Sequence, residues 1–231
     1  MQQACLDQLS AKRAQSDIIG FLLVIALAIV IVSLTYFWAG PMLQRAQDEQ
    51  AVQELREQMY GLCSAIKAVA NEQGAISIQF KIPKGYLVLS QTNDTLKTQN
   101  TIVYKGVFSL ANPPPRKLLI GYGVSQSDLA SKTPADINMV RWPGAVPLGE
   151  EPCFLIEQGS TEFYLHFRHL SVSNGTWTEC YRIRLVAGEQ AAAGAGQRTI
   201  NLVWKGENVT TDVSGSDCNR LTEQIVEFSI K

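Results

Sequence analysis

Apolar residues follow three different patterns along this chain. From Ile18 to Ala39 the chain carries no charged residue. Between residues 42 and 73, apolar residues recur at steps of three and four, the spacing of one face of an α-helix. The residues of this stripe are Val52, Leu55, Met59, Leu62, Ile66 and Val69, with Cys63 and Ala70 beside them. After Gly74 the apolar positions alternate with polar ones, which predicts β-strands.

The uncharged run is long enough to cross a membrane. As a helix its roughly 22 residues would span about 33 Å, more than the hydrocarbon core of a bilayer. It is too long for the apolar core of an ordinary signal peptide, which has about 7–15 residues. Lys12 and Arg13 precede it, so the positive-inside rule places the N-terminus in the cytoplasm and the rest of the chain outside the cell.

The helical pattern resumes after the run. We expect a kink or short break at Gly40-Pro41, because proline removes a backbone donor and clashes with the preceding turn. Helix formers then dominate up to Gly74, which predicts one long helix, apolar all round at first and one-sided afterwards. The stripe must pack against another element. Both the chain's own globular domain and a partner fit this pattern.

The C-terminal part of the chain alternates with a period of two. Phe163, Leu165 and Phe167 show this alternation, as does the segment "AISIQFKI" that follows Gly74. Eight to ten short strands, separated by Gly, Pro, Asn and Ser clusters, favour an antiparallel β-sandwich. The predicted fold class is therefore α+β, with a long N-terminal helix followed by an all-β head at 75–231.

Cysteines and glycosylation motifs agree with an exterior location for the head. One cysteine, Cys5, precedes the apolar run, and four follow it: Cys63, Cys153, Cys180 and Cys218. In an oxidising space four cysteines could form two disulfides in three possible pairings. Buried free thiols are the alternative. Three N-glycosylation acceptors also lie beyond the run, at Asn93, Asn174 and Asn208.

Catalytic and cofactor motifs do not emerge from the sequence. His166 and His169 are three residues apart on a predicted strand, so they would face opposite sides and make a poor metal pair. Glu150-Glu151 lies in a Pro/Gly-rich stretch typical of a solvated turn. The sequence has neither a phosphate-binding glycine loop nor a Gly-x-Ser-x-Gly motif. We therefore expect no enzyme activity, no cofactor and no metal. With a net charge of −1 and no basic stripe, we expect no nucleic-acid partner either.

The stretch "KRAQSDIIGFLLVIALAIVIV" resembles the start of type IV pilin and archaellin precursors, especially the archaeal kind with a class III signal peptide. In that family a membrane peptidase cuts after a basic pair and a small residue. The resemblance implies a cut between Ala14 and Gln15. The chain would then comprise a leader at 1–14, a long helix at 15–74 with its membrane or filament-core segment at 18–39, and the head. The cut would also remove Cys5.

The resemblance further implies a structural subunit of a pilus-like surface filament, serving adhesion. Copies would assemble through the N-terminal helix, after the precursor has resided in the cytoplasmic membrane and met its peptidase and assembly machinery. Many pilins carry glutamate at the fifth mature position, which here is Ile19. Asp17 is the only acid nearby and could pair with a free amino terminus.

Two other functions fit the same sequence. The chain could be a single-pass membrane protein with an uncleaved anchor and an extracytoplasmic binding domain. It could also be a minor pilin or an archaellum-associated component, which only copy number would distinguish from a major subunit.

Overall fold

A computed structural model describes residues 2–90, 101–109, 117–120, 152–159, 162–167, 170–173, 176–211 and 218–231. The predicted positions Asn93, Asn174, His169, Glu150 and Glu151 lie outside these residues. The chain divides into two compact units, Met1–Gln47 and Asp48–Lys231. Each unit is described by itself.

A single helix, α1, runs from Gln2 to Glu72 and contributes to both units. The helix continues through Gly40 and Pro41 without the break expected there. Proline costs the helix one hydrogen bond there, which a long helix can tolerate. The helix ends close to the predicted position. Gln73 takes a left-handed conformation (φ 54°), and the Gly74 N–H donates to the carbonyl of Val69 at 3.4 Å.

In the second unit the apolar stripe of α1 forms one side of the core. All eight residues of the predicted stripe are buried, with exposed fractions of 0–3%. They pack with residues of the sheet in one hydrophobic cluster, which contains Phe80, Leu165 and Phe228. The stripe is therefore used within the chain's own head, which resolves the two possibilities that its sequence left open.

The head contains nine described strands. They are β1 (Ala75–Ser90), β2 (Thr101–Lys105), β3 (Lys117–Ile120), β4 (Cys153–Gln158), β5 (Glu162–Phe167), β6 (Leu170–Ser173), β7 (Thr178–Ala187), β8 (Ala192–Thr211) and β9 (Arg220–Ile230). They form one sheet in the order β3-β4-β5-β2-β1-β8-β9-β7-β6. All pairs are antiparallel except β7 with β9, which is parallel.

The α+β class and the mostly antiparallel strands are confirmed. The described strands belong to one hydrogen-bonded sheet, and the stripe on α1 packs against residues of its inner face. The apolar face of a sheet needs a second layer, and here the helix supplies it.

Two disulfides connect the four cysteines of the head. Cys63 on α1 is bonded to Cys153 at the start of β4, and Cys180 on β7 is bonded to Cys218, just before β9. The first bond ties the helix covalently to the sheet. The sequence had allowed three pairings and also free thiols, and the fold selects one.

Candidate functional site

The exposed part of α1 in the first unit is the most distinctive surface of the chain. From Phe21 to Leu43 the large apolar side chains are all exposed. Among the described residues α1 is the one helix long and apolar enough to cross a membrane, and none of its most apolar stretch is buried. An exposed apolar surface of this extent is unfavourable in water. It requires either lipid or other protein around it.

Three adjacent aromatic residues mark the C-terminal end of this surface. Tyr36, Phe37 and Trp38 are 83%, 82% and 73% exposed. Tyrosine and tryptophan are enriched at membrane–water interfaces, where an apolar ring and a polar tip are both accommodated. Thr35, just before them, donates its hydroxyl to the carbonyl of Ile31 at 2.8 Å, so its polar group is satisfied within the helix. The segment therefore has the features of a membrane-spanning helix with an aromatic outer boundary.

The predicted processing site lies on the same helix. Ala14, Gln15 and Asp17 all belong to α1. The side chain of Asp17 is not among those described, so its pairing with an amino terminus stays a prediction, as does cleavage after Ala14.

A buried ion pair holds the second part of α1 on the sheet. Two N–H groups of Arg56 donate hydrogen bonds to the carboxylate of Glu157 on β4, at 2.7 Å from Nη2 to Oε1 and 3.1 Å from Nε to Oε2. The Glu157 side chain is fully buried, whereas that of Arg56 is 23% exposed. A forked arginine–carboxylate pair fixes orientation as well as charge. The pair therefore fixes the position of α1 against β4. It lies about two helical turns before the Cys63–Cys153 bond.

A second buried carboxylate stands where the packed part of α1 begins. Asp48 is 2% exposed and accepts hydrogen bonds from the Lys84 ammonium and, at 2.7 Å, from the backbone N–H of Ser109. Burial opposes ionisation of this carboxyl, but the two hydrogen bonds and the Lys84 charge outweigh it and lower the pKa of Asp48. Asp48 thereby joins the helix to Lys84 within β1 and to Ser109, in the segment that follows β2.

Sequence reasoning missed these two carboxylates, although a signal was present. Asp48 lies four residues before Val52, and Arg56 four residues after it, so both fall on the apolar stripe. Glu157 follows Cys153 and Leu155 at steps of two, on the inner face of a strand. A charged residue in phase with an apolar face indicates a buried pair.

The remaining predicted sites are partly described. Asn208 is exposed on β8, and its side-chain amide donates to Glu223 at 3.4 Å; its glycosylation stays a prediction. His166 on β5 lies with Nδ1 2.8 Å from the hydroxyl of Thr101. No group of three or more His, Cys, Asp or Glu side chains is placed to hold a metal ion in the part of the chain that the structure describes.

The coarse location of the protein follows from two features together. The long apolar helix near the N-terminus suggests membrane anchoring or a signal, and the disulfides suggest an extracellular location for the head. No family model, curated protein or solved structure that was compared with this chain matches it.

Proposed function

We propose that the chain is a structural subunit of an archaeal type IV pilus-like surface filament, assembled through its N-terminal helix after removal of residues 1–14. One observation carries this proposal. A single helix has an exposed apolar segment from Phe21 to Leu43, while its later part forms one side of the core of a disulfide-bonded β head.

The exposed segment suits both stages of such a life cycle. In the membrane, lipid tails would cover its apolar surface. In a filament, the same surface on many copies would pack together, through a heterologous contact that does not close and so yields a fibre. Cleavage after Ala14 would remove Lys12 and Arg13, the charges that hold the helix end in the cytoplasm. The new amino terminus at Gln15 and the Asp17 carboxylate would then be the charges left beside the apolar segment, and their pairing would lower the cost of release from lipid.

The head would face outward and serve adhesion. Two disulfides, one of them tying α1 to the sheet, suit a domain that must stay folded outside the cell. Asn208, on an exposed part of β8, would carry a glycan toward solvent.

The proposal is tested by imaging surface material from cells that express the chain together with a prepilin peptidase. We expect filaments from the wild type and none from Ala14→Phe, because the bulky residue blocks cleavage. Ala14→Ser retains a small residue and should still give filaments. Negative-stain images that show only monodisperse particles after leader removal would contradict the proposal.

A second candidate function is a single-pass anchored, extracytoplasmic binding or accessory protein, such as a minor pilin or an archaellum-associated component. The aromatic boundary at Tyr36–Trp38 favours stable residence in a membrane. In the anchored form the surface protein would retain Lys12 and Arg13, and Ala14→Phe would change neither its abundance nor its location.

A further inference from the structure

The two most exposed large apolar side chains described in the second unit share one place on the head. Val107 is 80% exposed, and Tyr86 follows at 46%. Both line an open groove of about 500 Å³, whose other lining residues are Lys84, Gly85, Lys105, Gly106 and Glu162. We name the surface formed by Lys84, Tyr86, Lys105 and Val107 the α1-entry surface, because it lies where the packed part of α1 begins.

The outward position of Val107 is fixed by its neighbours in the chain. Phe108 is buried, and its ring stacks on that of Tyr104 at a centroid distance of 6.3 Å. The backbone N–H of Ser109 donates to Asp48 at 2.7 Å. Tyr104, on the other side of Val107, is itself fully buried. Because the residues on both sides are anchored, the Val107 side chain cannot fold back into the core.

The groove is shaped by a close approach between two backbone segments. Gly85 has a left-handed conformation (φ 86°), and a Cβ atom there would lie 1.8 Å from the carbonyl oxygen of Lys105. Only glycine is compatible with this approach. Tyr86 pairs with Lys105 across β1 and β2, so it is held at the same place. The α1-entry surface is therefore formed by the fold before any partner arrives.

The charges of this surface are balanced in pairs. The Lys84 ammonium pairs with Asp48, and Lys105 Nζ lies 3.0 Å from Glu162 Oε1. The two lysine side chains are 41% and 42% exposed. Lysine stems and a tyrosine ring present apolar area that ends in polar tips. Such a surface fits a boundary between apolar and aqueous surroundings better than it fits a strongly charged partner.

The chain itself keeps this surface close to the exposed apolar segment of α1. Asp48, which binds both Lys84 and Ser109, is the first residue of the second unit. The exposed apolar side chains of α1 end at Leu43, five residues earlier. Five residues span at most about 18 Å when fully extended, a limit that holds for any arrangement of the two units. If the segment crosses a membrane, the lipid headgroups are therefore within reach of the α1-entry surface.

We propose that the α1-entry surface docks on the membrane that holds α1. Val107 enters the boundary between headgroups and acyl chains, and the Tyr86 ring lies beside it at headgroup level. The ammonium groups of Lys84 and Lys105 face the lipid phosphates. The inference rests on membrane residence of α1, which both functions proposed above share, and it does not require filament formation.

The test measures how deeply a spin label at Val107 lies in a bilayer. The full chain carries Cys5→Ala and is reconstituted in phosphatidylcholine nanodiscs, one copy per disc. A nitroxide is attached at Val107→Cys or, as controls, at Val209→Cys or Leu34→Cys. Val209 is an exposed valine near the end of β8, whereas Leu34 lies in the apolar segment. We expect a water-soluble nickel chelate to reach the label at 107 several-fold less than the label at 209.

Three results would overturn the proposal. The first is equal access of the nickel chelate to the labels at Val107 and Val209. If the Leu34 label is then still in lipid, membrane residence stands and only the docking fails. The second is shielding of Val107 solely in discs that hold several copies, which would assign the surface to a second copy of the chain. The third is shielding only after anionic lipid is added, which would contradict docking by a charge-balanced surface.

A matched pair of variants tests the role of the valine side chain. In the same nanodiscs, Val107→Asp should raise the hydrogen exchange of the backbone amides at 105–109 several-fold, because a carboxylate is costly at the acyl boundary. Val209→Asp makes the same chemical change elsewhere and should leave these amides unaltered. Equal denaturation midpoints for the two variants would show that the head stays folded. Unchanged exchange in Val107→Asp would overturn the docking, and neither result bears on the imaging of filaments.

Discussion

The two parts of α1 have the same backbone geometry but opposite surroundings. In Met1–Gln47 the side chains of Leu27 and Leu34 are 57% and 64% exposed, whereas in the second unit Leu55 and Leu62 are fully buried. The first part is apolar all round and contacts nothing else described in its unit. The second part is apolar on one side and forms the core of a sheet. The pattern of side chains, and not the helix itself, therefore decides what each part can bind.

Because of this difference, we expect the packed part to stabilise the head and the exposed part to act in membrane residence or assembly. The packed part stabilises the head through its stripe, the Cys63–Cys153 bond and the Arg56–Glu157 pair. We expect the exposed part to add little to the stability of the head, and we propose that lipid or other copies of the chain cover it. Changes in the packed part should therefore alter unfolding, and changes in the exposed part should alter membrane residence or assembly.

The largest effect should come from the bond that joins helix and sheet. Cys63 and Cys153 are 90 residues apart, and a loop of that size corresponds to about 4–5 kcal/mol of unfolding free energy. The double variant Cys63→Ala/Cys153→Ala should lose about that much in chemical denaturation of the purified chain. Cys5→Ala, in the predicted leader, should lose nothing. Equal midpoints for wild type and the double variant would show that the bond does not hold α1 in place.

The second-largest loss of stability should come from removing Arg56, the partner of the buried Glu157 carboxylate. Arg56→Met leaves the Glu157 carboxylate buried and unpaired, which typically costs about 3–5 kcal/mol. The control is Glu54→Gln, at a partly exposed helix position whose carboxylate pairs with Lys81, and it should change stability little. The comparison is made by denaturant unfolding at neutral pH. An Arg56→Met midpoint equal to that of the control would count against a fixed helix–sheet register.

Leucine truncation compares the two parts of α1 directly. Leu62→Ala should destabilise the head by about 2–5 kcal/mol, because the side chain is fully buried and leaves a cavity. Leu34→Ala makes the same chemical change in the exposed part and should leave unfolding of the head unaltered. If both variants shift the denaturation midpoint alike, the division of α1 into two tasks is wrong.

The smallest effect should depend on pH. The pKa of Asp48 is lowered in the folded head, so its contribution is fully present above the ordinary carboxyl pKa of about 4. That contribution is lost as the pH falls through the lowered pKa. Asp48→Asn should cost about 1.5–3 kcal/mol at pH 7, the range for a hydrogen bond to a charged group, and progressively less below pH 4. Glu49→Gln, the exposed neighbour, should not alter the pH profile of unfolding.

Elements that depend on local periodicity could be predicted from the sequence. Pairings between segments that are distant in the chain could not. The stripe on α1 was read correctly, since a period of 3.6 residues is a local property. The single sheet was not foreseen, because alternation along strands such as β5 shows which residues face inward but not which strands are neighbours. The parallel pairing of β7 with β9 and the choice of disulfide partners depend on the same long-range order.

The functional features also divide into those that the sequence predicts and those that it does not. The exposed apolar segment was evident from composition alone. The buried ion pairs were not predicted, although Asp48, Arg56 and Glu157 lie in phase with apolar faces and could have been identified from the sequence.

The mature N-terminus tests the central proposal most directly. The chain is isolated from the cell surface, and its N-terminal peptide is sequenced by mass spectrometry. A filament subunit of the proposed kind should begin at Gln15, without Lys12 and Arg13. A surface protein that still carries Lys12-Arg13-Ala14 would contradict processing and indicate an uncleaved membrane anchor.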